Sequence, residues 1–125
     1  MNPGTVSVRY MVDDVAAAAE FYTKHLGFTQ MMLNPPAFGA VTLGDLRLLL
    51  SGPGSSGALP MRDGSKPVPG GWTRIQVPVD DIDAAVARLK AAGCHFRGEV
   101  VRGFGGSQAI VDDPSGNPVE LWQAS

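Results

Sequence analysis

The sequence predicts an α+β fold made of two tandem βαβββ modules that pack side by side into a curved mixed sheet, with the helices outside. Three observations predict it. Val12-Asp13-Asp14-Val15 recurs as Val79-Asp80-Asp81-Ile82, an offset of 67 positions. Each copy joins a stretch of alternating apolar residues to one with helical spacing, and each is followed by three further strand-like runs. A V-D-D junction alone is a common strand-to-helix link, but here strand parity, cap, apolar stripe and stop glycine recur in the same order, as an internal duplication requires.

In the first module Val6, Val8, Tyr10 and Val12 alternate with Ser7, Arg9 and Met11, the period of a half-buried strand. Asp14 stands where an N-cap accepts from the orphan N–H groups of a first helical turn. Val15, Ala18, Tyr22 and Leu26 form the helical stripe, and Gly27 is the stop. The runs Phe28 to Leu33, Phe38 to Leu43 and Leu46 to Leu50 read as strands, broken by Asn34-Pro35-Pro36 and Gly44-Asp45. Ser51 to Gly71 is rich in Gly, Ser and Pro and includes Met61-Arg62-Asp63, the composition of either a functional loop or a flexible connector.

The second module repeats the plan. Ile75, Val77 and Val79 alternate with Arg74, Gln76 and Pro78 in a fifth strand; Asp81 is the cap, Ile82, Ala85, Val86 and Leu89 the stripe, and Gly93 the stop. His95 to Arg102, Ser107 to Val111 and Pro118 to Gln123 complete it, separated by Gly103-Phe104-Gly105-Gly106 and by Asp112-Asp113-Pro114-Ser115-Gly116-Asn117. Neither half buries a full core alone, so one domain over residues 1–125 is expected, with module 1 at about 5–51, a connector at about 52–71 and module 2 at about 72–125.

Composition narrows the function. An apolar fraction of 44% with 18% charged residues describes a soluble globular chain, and a net charge of −2 leaves no basic footprint for nucleic acid. No apolar run approaches a bilayer span and no signal peptide opens the chain, so neither a membrane partner nor export is expected and the cytoplasm is the expected location. The single Cys94 excludes an internal disulfide. It could be a nucleophile, but its neighbour His95 points to the opposite face of a strand, which favours a structural role. Gly103-Phe104-Gly105-Gly106 imitates a phosphate loop, yet it lies between strands and opens no helix.

The chain resembles the vicinal oxygen chelate superfamily, which holds glyoxalase I, extradiol dioxygenases, methylmalonyl-CoA epimerases, and fosfomycin and bleomycin resistance proteins. The resemblance rests on the duplicated βαβββ plan, on Phe21-Tyr22-Thr23-Lys24-His25-Leu26-Gly27-Phe28, and on Asp113-Pro114-Ser115-Gly116-Asn117-Pro118-Val119-Glu120-Leu121. It implies a cleft inside the curved sheet, a homodimer, and in the metal enzymes a divalent ion held by His and Glu on the first and last strands of each half. Aligned by the V-D-D anchors, those positions fall on Ser7, within Leu48-Leu49-Leu50, on Arg74 and on Glu120. Leucine offers no lone pair, serine is a poor ligand and arginine brings positive charge, so no metal or other cofactor is expected. His25 and His95 lack ligand spacing and read as surface or packing residues.

Parity then directs Ser7, Arg9, Met11, Trp72, Arg74, Gln76, Glu120 and Trp122 toward the cleft, apolar walls with a few orienting polar groups that suit a small-molecule ligand. Filling a closed core or a dimer interface would use the same residues. Arg74 and Glu120 could simply pair, through one or both carboxylate oxygens, or Arg74 with Arg9 could present cations to an anionic or carbonyl-bearing ligand. The leading expectation is a metal-independent binder of a small, largely apolar or aromatic molecule. The competing one is an enzyme of glyoxalase, epimerase or dioxygenase type with Glu120 as catalytic base or metal ligand, a role that pairing with Arg74 works against. A structural module with a filled cavity is the third.

Overall fold

The computed structural model describes residues 5–125, and the chain divides into two compact units between Gly70 and Gly71. The first contains β1 (Val6–Met11), α1 (Val15–His25), β2 (Thr29–Asn34), β3 (Phe38–Leu43) and β4 (Leu46–Ser51). Its four-stranded sheet has the order β1-β4-β3-β2, with β1 parallel to β4 and the other pairs antiparallel. The parallel pair follows from the route: the chain leaves β1 through a helix, which is the crossover a parallel neighbour needs. Asp14 caps that helix by accepting from the Ala17 N–H at 3.0 Å, and Gly27, at φ 75°, turns the chain out of it.

Register sorts the side chains of the first sheet. Val8 faces Leu48 and Tyr10 faces Leu50 across the ladder, and Tyr10, Val41, Leu48 and Leu50 are buried with Val15, Ala18 and Tyr22 of α1. Gly39 marks a close approach of β3 to α1, since a Cβ there would stand 3.0 Å from Val15 Cγ1. The other face carries the rungs Ser7 with Arg47, Arg9 with Leu49, and Met11 with Ser51. Val6, the first apolar residue of the alternating run, is largely exposed at the strand's start. The connector belongs to the first unit and is folded. Gly52 N donates to the Ala37 carbonyl at 2.8 Å, the buried Ser55 hydroxyl donates to the Gly52 carbonyl at 2.8 Å, and a 3-10 turn spans Ser56–Ala58.

The second unit contains β5 (Ile75–Pro78), α2 (Ile82–Ala91), β6 (Val101–Arg102), β7 (Gly106–Asp112) and β8 (Pro118–Ala124). Its sheet order, β5-β8-β7-β6, repeats the first. Asp81 accepts from Ala84 N at 3.1 Å and Gln123 Oε1 accepts from Ile82 N at 2.8 Å, so two side chains cap α2 where one caps α1. Ile75, Val77, Val111, Val119 and Leu121 are buried, as are Ile82, Ala85, Val86 and Leu89 of α2. The mixed sheet is thus realised as one four-stranded sheet per module. Among the described residues no helix is long and apolar enough to cross a membrane.

Two strand assignments need correction. The run His95 to Arg102 does not form a continuous strand: Phe96 makes an isolated bridge with Val111, Gly98 takes φ 81°, and only Val101–Arg102 pairs with β7. A left-handed residue turns the chain away from a ladder that needs extended φ. The fifth strand begins at Ile75, so Trp72 and Arg74 precede it. They are placed by side-chain contacts described next, not by strand pairing.

Candidate functional site

The D-P-S-G-N turn fixes the register that aims Glu120. Asp113 Oδ1 accepts from Ser115 N at 2.9 Å and Asn117 N at 3.0 Å, while Asn117 Nδ2 donates to Oδ2 at 3.1 Å. Gly116 supplies the positive φ, 86°. This turn starts β8 at Pro118, putting Val119 and Leu121 into the core and Glu120 on the opposite face, on the rung of Gln76.

Glu120 is enclosed, with a side chain only 9% exposed. Arg74 approaches one oxygen with two nitrogens, Nε donating to Oε1 at 3.0 Å and Nη2 lying 2.9 Å from the same atom. Gln76 Nε2 donates to Oε2 at 2.7 Å. The pair is therefore not a parallel fork; the second oxygen is occupied by an amide instead. Arg74 Nη1 continues to the Trp72 carbonyl at 3.2 Å. Both carboxylate oxygens are held by donors, the arrangement that offsets removal of a charge from water. On the neighbouring rung Trp122 lies against β7: a Cβ on Gly106 would stand 2.7 Å from the indole Cζ2.

Trp72 is positioned by Arg97, a residue the sequence reading missed. The Arg97 guanidinium sits 4.6 Å from the Trp72 ring centroid, donates through Nη1 to Gly71 O at 2.6 Å and Nη2 to Gly116 O at 3.0 Å, and pairs through Nε with Asp112 Oδ1 at 2.7 Å. Two of these acceptors are backbone carbonyls, which carry no sequence signature. The indole itself is 66% exposed. Replacing Arg97 with alanine removes every one of these contacts; a loss of about 2 kcal/mol in urea unfolding is expected, with Trp72 fluorescence shifting to longer wavelength. Unchanged emission would show that the indole is held otherwise.

In the first unit, Ser7 and Arg9 are exposed and Met11 is half-buried. Ser7 Oγ accepts from Arg47 Nε at 2.9 Å, and Ser51 Oγ accepts from Arg9 Nη1 at 2.7 Å. Arg47 and Ser51 were also missed, because an arginine inside Leu46-Arg47-Leu48-Leu49-Leu50 and a serine at its end look like strand-edge residues until register sets them beside Ser7 and Met11. That register also decides which leucine matches Glu120. Gln76 pairs with Glu120 and Arg9 pairs with Leu49, and Arg9 and Gln76 are themselves 67 apart.

Met11 lines a pocket of about 320 Å³ with Ser51, Gly52, Ala58, Leu59 and several connector prolines, all within the first unit. His95 is 75% exposed and its Nε2 lies 3.9 Å from Asp112 Oδ2, while His25 ends α1 with its ring 5.8 Å from that of Phe21. Burial pushes the Cys94 thiol above its ordinary value, against the opposing charge of Arg88, which makes it a weak nucleophile at neutral pH.

Duplicated βαβββ units with these ladders define a glyoxalase-like class of α+β protein. The family model of the Glyoxalase/Bleomycin resistance protein/Dioxygenase superfamily matches residues 4–121, and the chain belongs to that superfamily. Among solved structures it is similar to a member of the superfamily from Sphaerobacter thermophilus DSM 20745, with 28% identity, TM-score 0.75 and 95% of each chain covered. It is also similar to TnmS3, an antibiotic binding protein from Streptomyces sp. CB03234, with 27% identity, TM-score 0.72, and 97% of this chain and 95% of that one covered. Lactoylglutathione lyase from Agrobacterium tumefaciens shares the fold at 22% identity and TM-score 0.74, over 98% and 94% of the two chains. No functionally curated protein matches the chain in sequence.

The residues at the superfamily's metal positions do not fit a divalent cation. Ser7 is engaged by Arg47, Leu49 has no donor atom, Arg74 is a cation, and both oxygens of Glu120 are taken. A divalent ion needs several lone-pair donors turned to one point. Among the described residues no cluster of three or more His, Cys, Asp or Glu side chains is placed to supply them.

Proposed function

We propose that this protein binds a small, largely apolar or aromatic molecule without a catalytic metal. The observation that carries the reading is the engagement of both Glu120 oxygens by Arg74 and Gln76, a cation and an amide that compete with a metal or a substrate proton for the carboxylate. Trp122 and Trp72 supply apolar surface beside those polar groups within the second unit, and Met11 lines a separate pocket of the first, each with the composition of a small-molecule site. The likeness to an antibiotic binding protein at 27% identity supports the same reading. The proposal includes a homodimer, supported by the exposed Met31, Met32 and Leu33 on the edge strand β2, and a reducing, cytoplasmic setting suits the free Cys94.

A tryptophan-quenching and thermal-shift screen against aromatic natural products tests it. Saturable quenching with a rise in melting temperature is the expected result. A screen without hits removes the proposal, and stoichiometric Ni, Zn, Mn or Fe in the purified protein would favour the competing enzyme with Glu120 as metal ligand. Native mass spectrometry reports the dimer in the same preparation.

A further inference from the structure

The face of the first sheet that carries Ser7, Arg9 and Met11 is rich in donors. Arg9 and Arg47 each donate to one serine oxygen; Ser7 is exposed, with its hydroxyl proton open to an acceptor, while Ser51 is buried. Neither arginine has a carboxylate within ion-pair distance there, whereas Arg74, Arg97 and Arg102 each do. Arg47 Nη1 is buried and has no hydrogen-bond partner. A buried guanidinium N–H without an acceptor is costly, so the position is suited to an acceptor brought by a ligand.

Of the two arginines, Arg9 adjoins the connector pocket. Ser51, bonded to Arg9, lines the pocket. On the other side Arg9 packs beneath the 3-10 turn, where a Cβ on Gly57 would collide with its guanidinium, and the next residue, Ala58, lines the pocket too. Met11, Leu59, Pro60 and Val68 give it apolar walls, and its two charged residues, Asp13 and Lys66, are of opposite sign. A volume of about 320 Å³ admits one or two rings and no more.

We propose that this site takes a small amphipathic acid: an apolar one- or two-ring body in the pocket walled by the connector, with its oxyanion held by Arg9 and Arg47. The assignment rests on the small-molecule reading above and adds the charge of the ligand and the wall that selects it. The connector is then the specificity element of the first unit, and the donor face the part that demands a negative group.

Two probes separate the claims. Naphthalene-1-sulfonate and 1-naphthylamine share a two-ring aromatic body, and only the first carries an oxyanion. The sulfonate is expected to bind at least tenfold more tightly. Arg9→Gln and Arg47→Gln should each weaken the sulfonate about tenfold and leave the neutral amine unchanged, while Ala58→Phe, by filling the pocket, should weaken both. Melting curves of each variant confirm that the fold is retained. Equal affinities for the two probes, or sulfonate binding indifferent to both arginine changes, would overturn the assignment while leaving small-molecule binding in place. Absence of binding by either probe would count against this site and the broader reading together, and hits from the natural-product screen that ignore Ala58→Phe would place the ligand elsewhere.

Discussion

Gly52→Ala is expected to destabilise the protein by about 3 kcal/mol or more, enough to remove much of a small domain's stability. Gly52 follows β4 in a buried position, bonded through its N–H to Ala37 O at 2.8 Å. A Cβ there would overlap the Pro36 carbonyl and stand 2.7 Å from Val15 Cγ2 at the start of α1. The first obstacle is backbone and cannot rotate aside; the second is a β-branched residue with few rotamers. Relief requires moving the Pro36–Ala37 segment away from β4, which breaks the Gly52 bond and distorts the pocket that Gly52 lines. Urea unfolding gives the number. A loss below 1 kcal/mol would mean that the segment yields far more easily than its packing implies.

Arg74→Met is expected to cost about 2–3 kcal/mol, nearly all of it because Glu120 is left enclosed and short of donors, not because a favourable pair is lost. The double variant Arg74→Met with Glu120→Gln separates the two accounts. If a stranded charge is the cause, the second change recovers most of the stability, giving a large coupling energy in the cycle. If the two losses add, the pair matters through contacts each residue makes independently. Arg74 is 25% exposed at its side chain, which places the expected cost below that of a fully buried pair.

Much of the architecture was legible because it depends on local chemistry written in consecutive residues. The caps at Asp14 and Asp81, the stops at Gly27 and Gly93 and the period-two strands all appear where the residues demand them. Alternation also placed Glu120 and Gln76 on one face. The misreadings occur where a contact distant in sequence overrides alternation. His95 to Arg102 looks extended, yet Gly98 turns the chain, and Arg97 finds its acceptors at Gly71 and Gly116. Arg47 acquires significance only through the parallel rung with Ser7, a pairing across 40 positions that no local pattern announces. The connector's composition left open whether it is ordered; the buried Gly52 and Ser55 show that its first residues are packed, while most of the rest is exposed.

The matched rungs, Arg9 with Leu49 and Gln76 with Glu120, give the molecule a control experiment of its own. Backbone, ladder type and position within the sheet are held constant between the two, and only side-chain chemistry differs. One rung closes its charges within the chain and should be nearly indifferent to added salt; the other turns cationic donors outward and should respond to it. Any measured difference in how the two rungs meet an anion can therefore be assigned to these four side chains and the partners they draw in, Arg74 for Glu120 and Ser51 for Arg9.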